Sequence, residues 1–166
     1  MDPKVLGRFL NGELSMRELS GIDPPKLQQL TADAHKWLTM GQLGNARVAF
    51  QGLIALEPRV PYFWSSLASI DLAEGDLRLA RDRATYALTL DPKELAAWVV
   101  RGEVMIRAGR LKHAAEDLKA ALALDPKAKL PLTRRARLLA KALVMQVKKA
   151  PKAAPAVKKP PSGNKR

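Results

Sequence analysis

The stretch Gly41-Gln42-Leu43-Gly44-Asn45-Ala46 returns as Gly75-Asp76-Leu77-Arg78-Leu79-Ala80 and again as Gly109-Arg110-Leu111-Lys112-His113-Ala114, each copy 34 residues after the last. Self-similarity at a fixed period of roughly 20–50 residues marks a stacked-repeat architecture, in which one supersecondary unit is used several times. Other positions keep the same register. Leu56, Leu90 and Leu124 coincide, and each is followed by an acid and a proline: Glu57-Pro58, Asp91-Pro92 and Asp125-Pro126. Pro24 lies one further period upstream.

Each unit reads as a helix, a tight turn, a second helix and a stop. Glycine accepts the positive φ that ends a helix, at no steric cost. Proline disfavours helical geometry in the residue before it and opens the next unit where its missing N–H is harmless. Ala46, Ala80 and Ala114 keep the side chain small where two antiparallel helices approach to about 8–10 Å. A larger side chain there would wedge the pair apart.

The period, the large residue near the start of each first helix (Leu30, Trp64, Trp98), the turn glycine, the alanine and the final proline resemble the tetratricopeptide repeat. The resemblance implies an all-α fold: three repeats in a right-handed superhelix, with short N-terminal helices and a C-terminal capping helix. The expected boundaries are a leader at 1–26, repeats at 27–129 (27–60, 61–94 and 95–128), a capping helix at 130–149 and a disordered tail at 150–166. Three positions depart from the repeat pattern. Asp33, Asp71 and Arg101 stand where apolar residues are usual, and a charge on a packing face is costly unless paired. Asp71 and Arg101 lie on consecutive first helices, so the sequence predicts either a salt bridge between units or two solvated edge positions.

One helix pair cannot bury its apolar face alone, whereas three stacked pairs can, and the stack presents a concave surface lined by its first helices. Helical spacing predicts the lining: Thr31, His35 and Leu38 in unit one, then Tyr62, Ser65, Ser66, Ser69 and Leu72 in unit two. Val99, Val100, Glu103 and Ile106 continue it in unit three. Small hydroxyls, aliphatics and one aromatic suit an extended peptide, whose side chains enter shallow pockets while polar groups satisfy its backbone.

Ahead of the repeats, residues 3–10 and 14–19 have the pattern of short amphipathic helices, too short to stand alone in water and so expected to dock. Asp23 is available to cap the helix that follows. Phe9, Leu10, Gly12, Met16, Leu19, Ile22, Leu27 and Leu30, followed by Ala34, Gly41, Ala46, Phe50 and Leu53, resemble the class II type III secretion chaperones, over roughly residues 8–145. That resemblance implies a cytoplasmic chaperone whose cleft holds an extended segment of a secreted translocator, and a homodimer built through N-terminal helices. Carried onto this chain, the cleft involves His35, Leu38, Tyr62, Ser66, Ser69, Glu103 and Ile106. The chain departs from the family at Thr31, His35 and Leu38, where aromatics are usual, and in its basic balance.

The net charge is +13, but its distribution is uneven. Residues 1–126 hold 16 Lys/Arg against 16 Asp/Glu, while 127–166 hold 13 Lys/Arg and no acid. The stretch from Leu130 to Lys149 places Leu132, Ala136, Leu139, Leu143 and Val147 on one stripe, with basic residues mostly elsewhere, a pattern shared by a capping helix and a membrane-surface helix. The Lys/Pro/Ala-rich tail can touch nucleic acid or anionic membrane through charge, or serve only to solvate the chain.

The sequence points away from catalysis. It has no cysteine, which excludes disulfides, thiolate metal sites and Cys nucleophiles. Its two histidines, His35 and His113, fall in different units, and no phosphate-binding loop or nucleophile elbow is present. Neither a signal peptide nor an apolar run of about 18–20 residues is found, so a cytoplasmic protein without cofactor or metal is expected.

Overall fold

The structure, a computed structural model, describes residues 2–149. The expected tail at 150–166 and the side chain of Val147 lie outside the described residues. Within them run nine α-helices and no strand: α1 (Pro3–Leu10), α2 (Met16–Leu19), α3 (Pro24–Thr39), α4 (Leu43–Leu56), α5 (Pro61–Glu74), α6 (Leu77–Leu90), α7 (Leu95–Arg107), α8 (Leu111–Leu124) and α9 (Pro131–Lys149). The helices pair as α3/α4, α5/α6 and α7/α8, successive pairs pack on one another, and α9 closes the stack against α7 and α8. No helix among the described residues is long and apolar enough to cross a membrane.

Local chemistry explains the boundaries. Asp23 Oδ1 accepts the Lys26 N–H at 2.8 Å, and Pro24 opens α3 at a position where no N–H is needed. Asp76 caps α6 in the same way through Leu79 N–H at 2.9 Å. The turn glycines Gly41, Gly75 and Gly109 take φ of +72°, +90° and +70°, a region that side chains resist.

The 34-residue period is also a packing period. Ala46, Ala80 and Ala114 are completely buried, each where a second helix crosses its partner. A second seam of small residues, Ala34, Ala68, Gly102 and Ala136, follows the same spacing and is buried as well. Trp64 Nε1 donates to the Pro58 carbonyl at 2.7 Å, and Trp98 Nε1 donates to the Pro92 carbonyl at 2.8 Å. Each indole thus ties a first helix back to the turn before it, and the two repeat copies agree in atomic detail.

Three apolar clusters form the core. The first gathers Phe50, Leu53, Phe63, Leu67 and Ile70 between units one and two. The second joins Ala84, Ala87 and Leu88 to Ala97, Val100 and Val104 between units two and three, and the third packs Val99, Met105 and Leu118 with Ala136 and Leu143 of α9. Each fully buried Leu, Ile or Phe contributes about 1.5–3 kcal/mol, so the helix pairs hold one another in place.

Asp71 and Arg101 do not pair with each other, nor does either lie at a solvated edge. Asp71 is 0% exposed and accepts from Arg47 Nη2 at 2.9 Å and Arg83 Nη1 at 2.6 Å. Arg101 donates to Asp117 at 2.7 and 3.0 Å and lies 4.8 Å over the Trp98 ring. The reason is geometric: both charges point into the seam between the two helices of their own unit, where α6 and α8 supply the counter-charge.

The leader docks through α2. Ser15 forms a capping box with Glu18, and the Ser15 N–H lowers the pKa of that exposed carboxyl. Arg17 Nε and Ser15 Oγ both donate to Glu57 Oε1, at 2.6 and 2.9 Å, fixing α2 to the end of α4. Helix α2 starts at Met16 rather than at 14, because Ser15 takes the capping role. Helix α1 keeps Leu6 and Leu10 exposed, while Phe9 faces a groove of about 430 Å³ shared with Met16, Ala55 and Pro58.

Candidate peptide-binding face

The side chains expected to line the first-helix face fall into two groups. His35 is exposed, and Leu38, Tyr62, Ser69 and Ile106 are half-buried, so all five reach the surface. Ser65, Ser66, Leu72, Val99 and Glu103 are buried. Leu72 belongs to the core between units two and three, and Val99 to the core beneath α9, so neither offers surface to a ligand in this conformation. The same holds for Val100.

Tyr62 is the hub of the first group. Its ring meets Phe50 edge-on at 5.9 Å, and its hydroxyl lies 2.6 Å from His35 Nδ1, bridging α3 and α5. Burial pushes the phenol pKa upward, a hydrogen bond with Ser66 works against this, and the Glu94 charge adds to the rise. The phenol therefore stays neutral at physiological pH and keeps its proton for hydrogen bonding.

Behind Tyr62 the hydroxyls serve the helix itself. Ser69 Oγ donates to the Ser65 carbonyl at 2.9 Å, and Thr31 Oγ1 donates to the Leu27 carbonyl at 2.8 Å. Both bonds bend back one turn, which leaves the oxygen lone pairs open to a donor from outside. Ser65 Oγ lies 3.0 Å from Glu94 Oε1 and 3.1 Å from the Tyr62 carbonyl, and its single proton serves the two acceptors.

Glu94, at the entry of α7, is a residue the sequence reading missed. Burial raises its carboxyl pKa, the Ser65 hydroxyl opposes that, and Asp91 adds to it. Its neighbour is a neutral hydroxyl, whereas Asp71, Glu103 and Asp117 each receive a guanidinium. The available signal was positional: Glu94 follows Asp91-Pro92-Lys93 at the mouth of unit three, where it meets Ser65 near the start of α5.

Glu103 plays a structural part. Its carboxylate accepts from Arg107 at 2.8 Å and from Arg135 of α9 at 2.5 Å, and Arg107 also donates to the Leu72 carbonyl at 3.1 Å. One acid thus clamps the C-terminal parts of α5 and α7 to the first turns of α9. Among the described residues, no group of three or more His, Cys, Asp or Glu side chains could hold a metal ion.

No protein-family model matches the sequence, and no curated protein matches it. Solved structures do. A type III secretion complex from Aeromonas hydrophila superposes with TM-score 0.71 and 23% identity, over 88% of this chain and 99% of that one. The translocator chaperone SycD of Yersinia enterocolitica follows with TM-score 0.66 and 26% identity, over 77% of this chain and 97% of its own. In complex with a peptide of the translocator YopD, the same chaperone gives 0.63 and 25%, over 76% and 98%. The tetratricopeptide domain of Arabidopsis OM64 gives 0.64 and 22%, over 72% and 95%. The chain has the tetratricopeptide-repeat fold. It resembles the translocator chaperones of type III secretion along nearly their whole length, and the turn glycines, small-residue seams and paired tryptophans described above are what this fold is built from.

Proposed function

We propose that the protein is a cytoplasmic, non-enzymatic chaperone that holds an extended segment of a translocator-like client along its first-helix face, shielding apolar side chains that would otherwise aggregate. The observation that carries this reading is the match, at 25% identity, to a translocator chaperone solved with a translocator peptide. The local chemistry supports it. Leu38 and Ile106 offer apolar contact, while Tyr62, His35 and Ser69 present hydrogen-bonding groups that an extended backbone can use. Ser65, Ser66, Leu72, Val99 and Glu103 shape the face from beneath.

A homodimer formed through the N-terminal helices belongs to the same proposal, because α1 leaves Leu6 and Leu10 uncovered. The match to a plant tetratricopeptide domain favours a second reading, a protein-binding scaffold outside secretion.

Co-expression with a candidate client tests the main reading. Ser69→Arg places a long cation on the face while disturbing only one bond to a helix carbonyl. The client is expected to lose solubility and to stop co-purifying; unchanged co-purification would remove this face from the mechanism.

A further inference from the structure

Units two and three fill the seam between their two helices from within. In unit two, Trp64 meets Tyr86 edge-on at 4.7 Å and Arg83 donates to Asp71 at 2.6 Å. In unit three, Arg101 lies over Trp98 and donates to Asp117. One period before Trp64, Tyr86 and Arg83 stand Leu30, Gly52 and Ala49. Three large side chains are thus replaced at once by smaller ones, and Trp37, at the position of Asp71, leaves the space partly open.

What remains is a groove of about 370 Å³ walled by Leu30, Trp37, Val48, Leu53 and Leu56, with Asp33 as the sole charged residue lining it. Val48 is 70% exposed and Trp37 36%, so both reach solvent beside an apolar hollow. The groove runs between α3 and α4, and none of its lining residues belongs to the His35–Tyr62–Ser69 face.

We propose that this groove is a second binding site, for a partner helix that presents an arginine or lysine and, three residues later, an aromatic side chain. The chain itself supplies the template, because the equivalent space in unit two is filled by Arg83 and Tyr86, three residues apart on one helix. The aromatic ring enters among Leu30, Leu53 and Leu56. The cation has the Asp33 carboxylate and the Trp37 ring within the same lining, a charge complement and a cation–π acceptor. This site is separate from the client face and goes beyond the function proposed above.

A full-length, isotope-labelled protein tests it against an alanine-glutamine host helix carrying one Arg-x-x-Tyr pair, with Tyr→Ala and Arg→Gln peptides as controls. Saturable shifts are expected at the Trp37 indole N–H and the Gly52 amide. The Tyr→Ala peptide should bind about tenfold more weakly, and Asp33→Asn should weaken the parent peptide about threefold at low salt. Gly52→Tyr refills the groove from a position with no atom within 4 Å of a new Cβ, so it should abolish the shifts and raise the melting temperature. Ser69→Arg should leave the shifts unchanged, which keeps this proposal separable from the client-binding one. The proposal is overturned if no saturable shift appears at millimolar peptide, or if the Tyr→Ala peptide binds equally well. It is equally overturned if sedimentation shows that Gly52→Tyr dissociates a dimer, since a second copy would then cover the groove.

Discussion

Units one and two obey the same 34-residue period and yet hold their helices together by different means. Unit two carries an acid, Asp71, that is 0% exposed between two arginines. Unit one has Trp37 at the corresponding position, lining a partly open groove together with Ala49, and its Arg47 reaches forward into unit two instead. The difference shows what the period controls. It fixes where helices start, stop and cross, while the chemistry at the seam is free to vary provided the seam is filled or something else covers it. It also shows how units are coupled, because Asp71 binds one arginine from its own unit and one from the unit before.

The largest expected effect comes from breaking the filled seam. Asp71→Ala leaves the half-buried Arg83 without its acid and Arg47 with Glu74 alone, and should cost about 3 kcal/mol in urea unfolding. Asp33→Ala, at an exposed carboxylate, should change stability by less than about 0.5 kcal/mol. Equal costs would mean that the two seams are energetically alike and differ only in geometry.

Overpacking comes next. Ala80 is completely buried where α6 crosses its neighbours, so Ala80→Leu should destabilise by about 2 kcal/mol. A smaller loss would mean that the helix pair can spread, and with it the whole stack.

Two of the helical glycines, Gly102 and Gly52, sharpen the comparison further. A Cβ at Gly102 would meet Leu118 Cδ2 at 3.0 Å and Cγ at 3.1 Å, and Leu118 is 1% exposed with little room to move. Gly102→Ala should therefore lose about 1 kcal/mol despite its gain in helix propensity. Gly52 has open space at the same test, so Gly52→Ala should gain about 0.5–1 kcal/mol. Thermal unfolding of both variants decides the point, and opposite signs are the expected result.

How far the sequence could carry this depended on the scale of the question. Turn glycines, crossing alanines and the equivalent tryptophans were legible because each is set by a backbone need or a fixed crossing distance, and the structure shows the same geometry in successive copies. The partners of Asp71 and Arg101 were not legible in the first helices, because Arg47, Arg83 and Asp117 all stand on second helices. Yet positions 83 and 117 are one period apart and opposite in charge, Arg83 against Asp117, which matches the acid at 71 and the base at 101. The face residues were read by helical spacing, which tells direction around a helix but not depth; hence Leu72 and Val99 were grouped with Tyr62 although they lie in the core. The open seam was visible in principle as Gly52 and Ala49 standing where Tyr86 and Arg83 stand.

The smallest effect concerns Glu94, which ties unit two to unit three with a hydroxyl where Asp71 ties units one and two with guanidinium groups. Burial raises its folded-state pKa above the ordinary 4.5. Below pH 4.5 the carboxyl is protonated in both the folded and the unfolded chain, and the site favours neither. Between that value and the raised one, the folded chain keeps a proton that the unfolded chain has released, so stability falls as pH rises through this window. Above the raised value the loss is complete. Exposed Glu18 and half-buried Asp125 have lowered values, held down chiefly by the Ser15 and Leu130 N–H groups, and act in the opposite sense at lower pH. Glu94→Gln keeps an acceptor for Ser65 Oγ and removes the titration. The variant should show a smaller drop in urea midpoint between pH 4.5 and pH 7 than the parent does, and should be the more stable of the two at pH 7. If the two proteins lose midpoint in parallel across that range, the contact between units two and three does not depend on the charge of Glu94, and the asymmetry with Asp71 has no energetic expression.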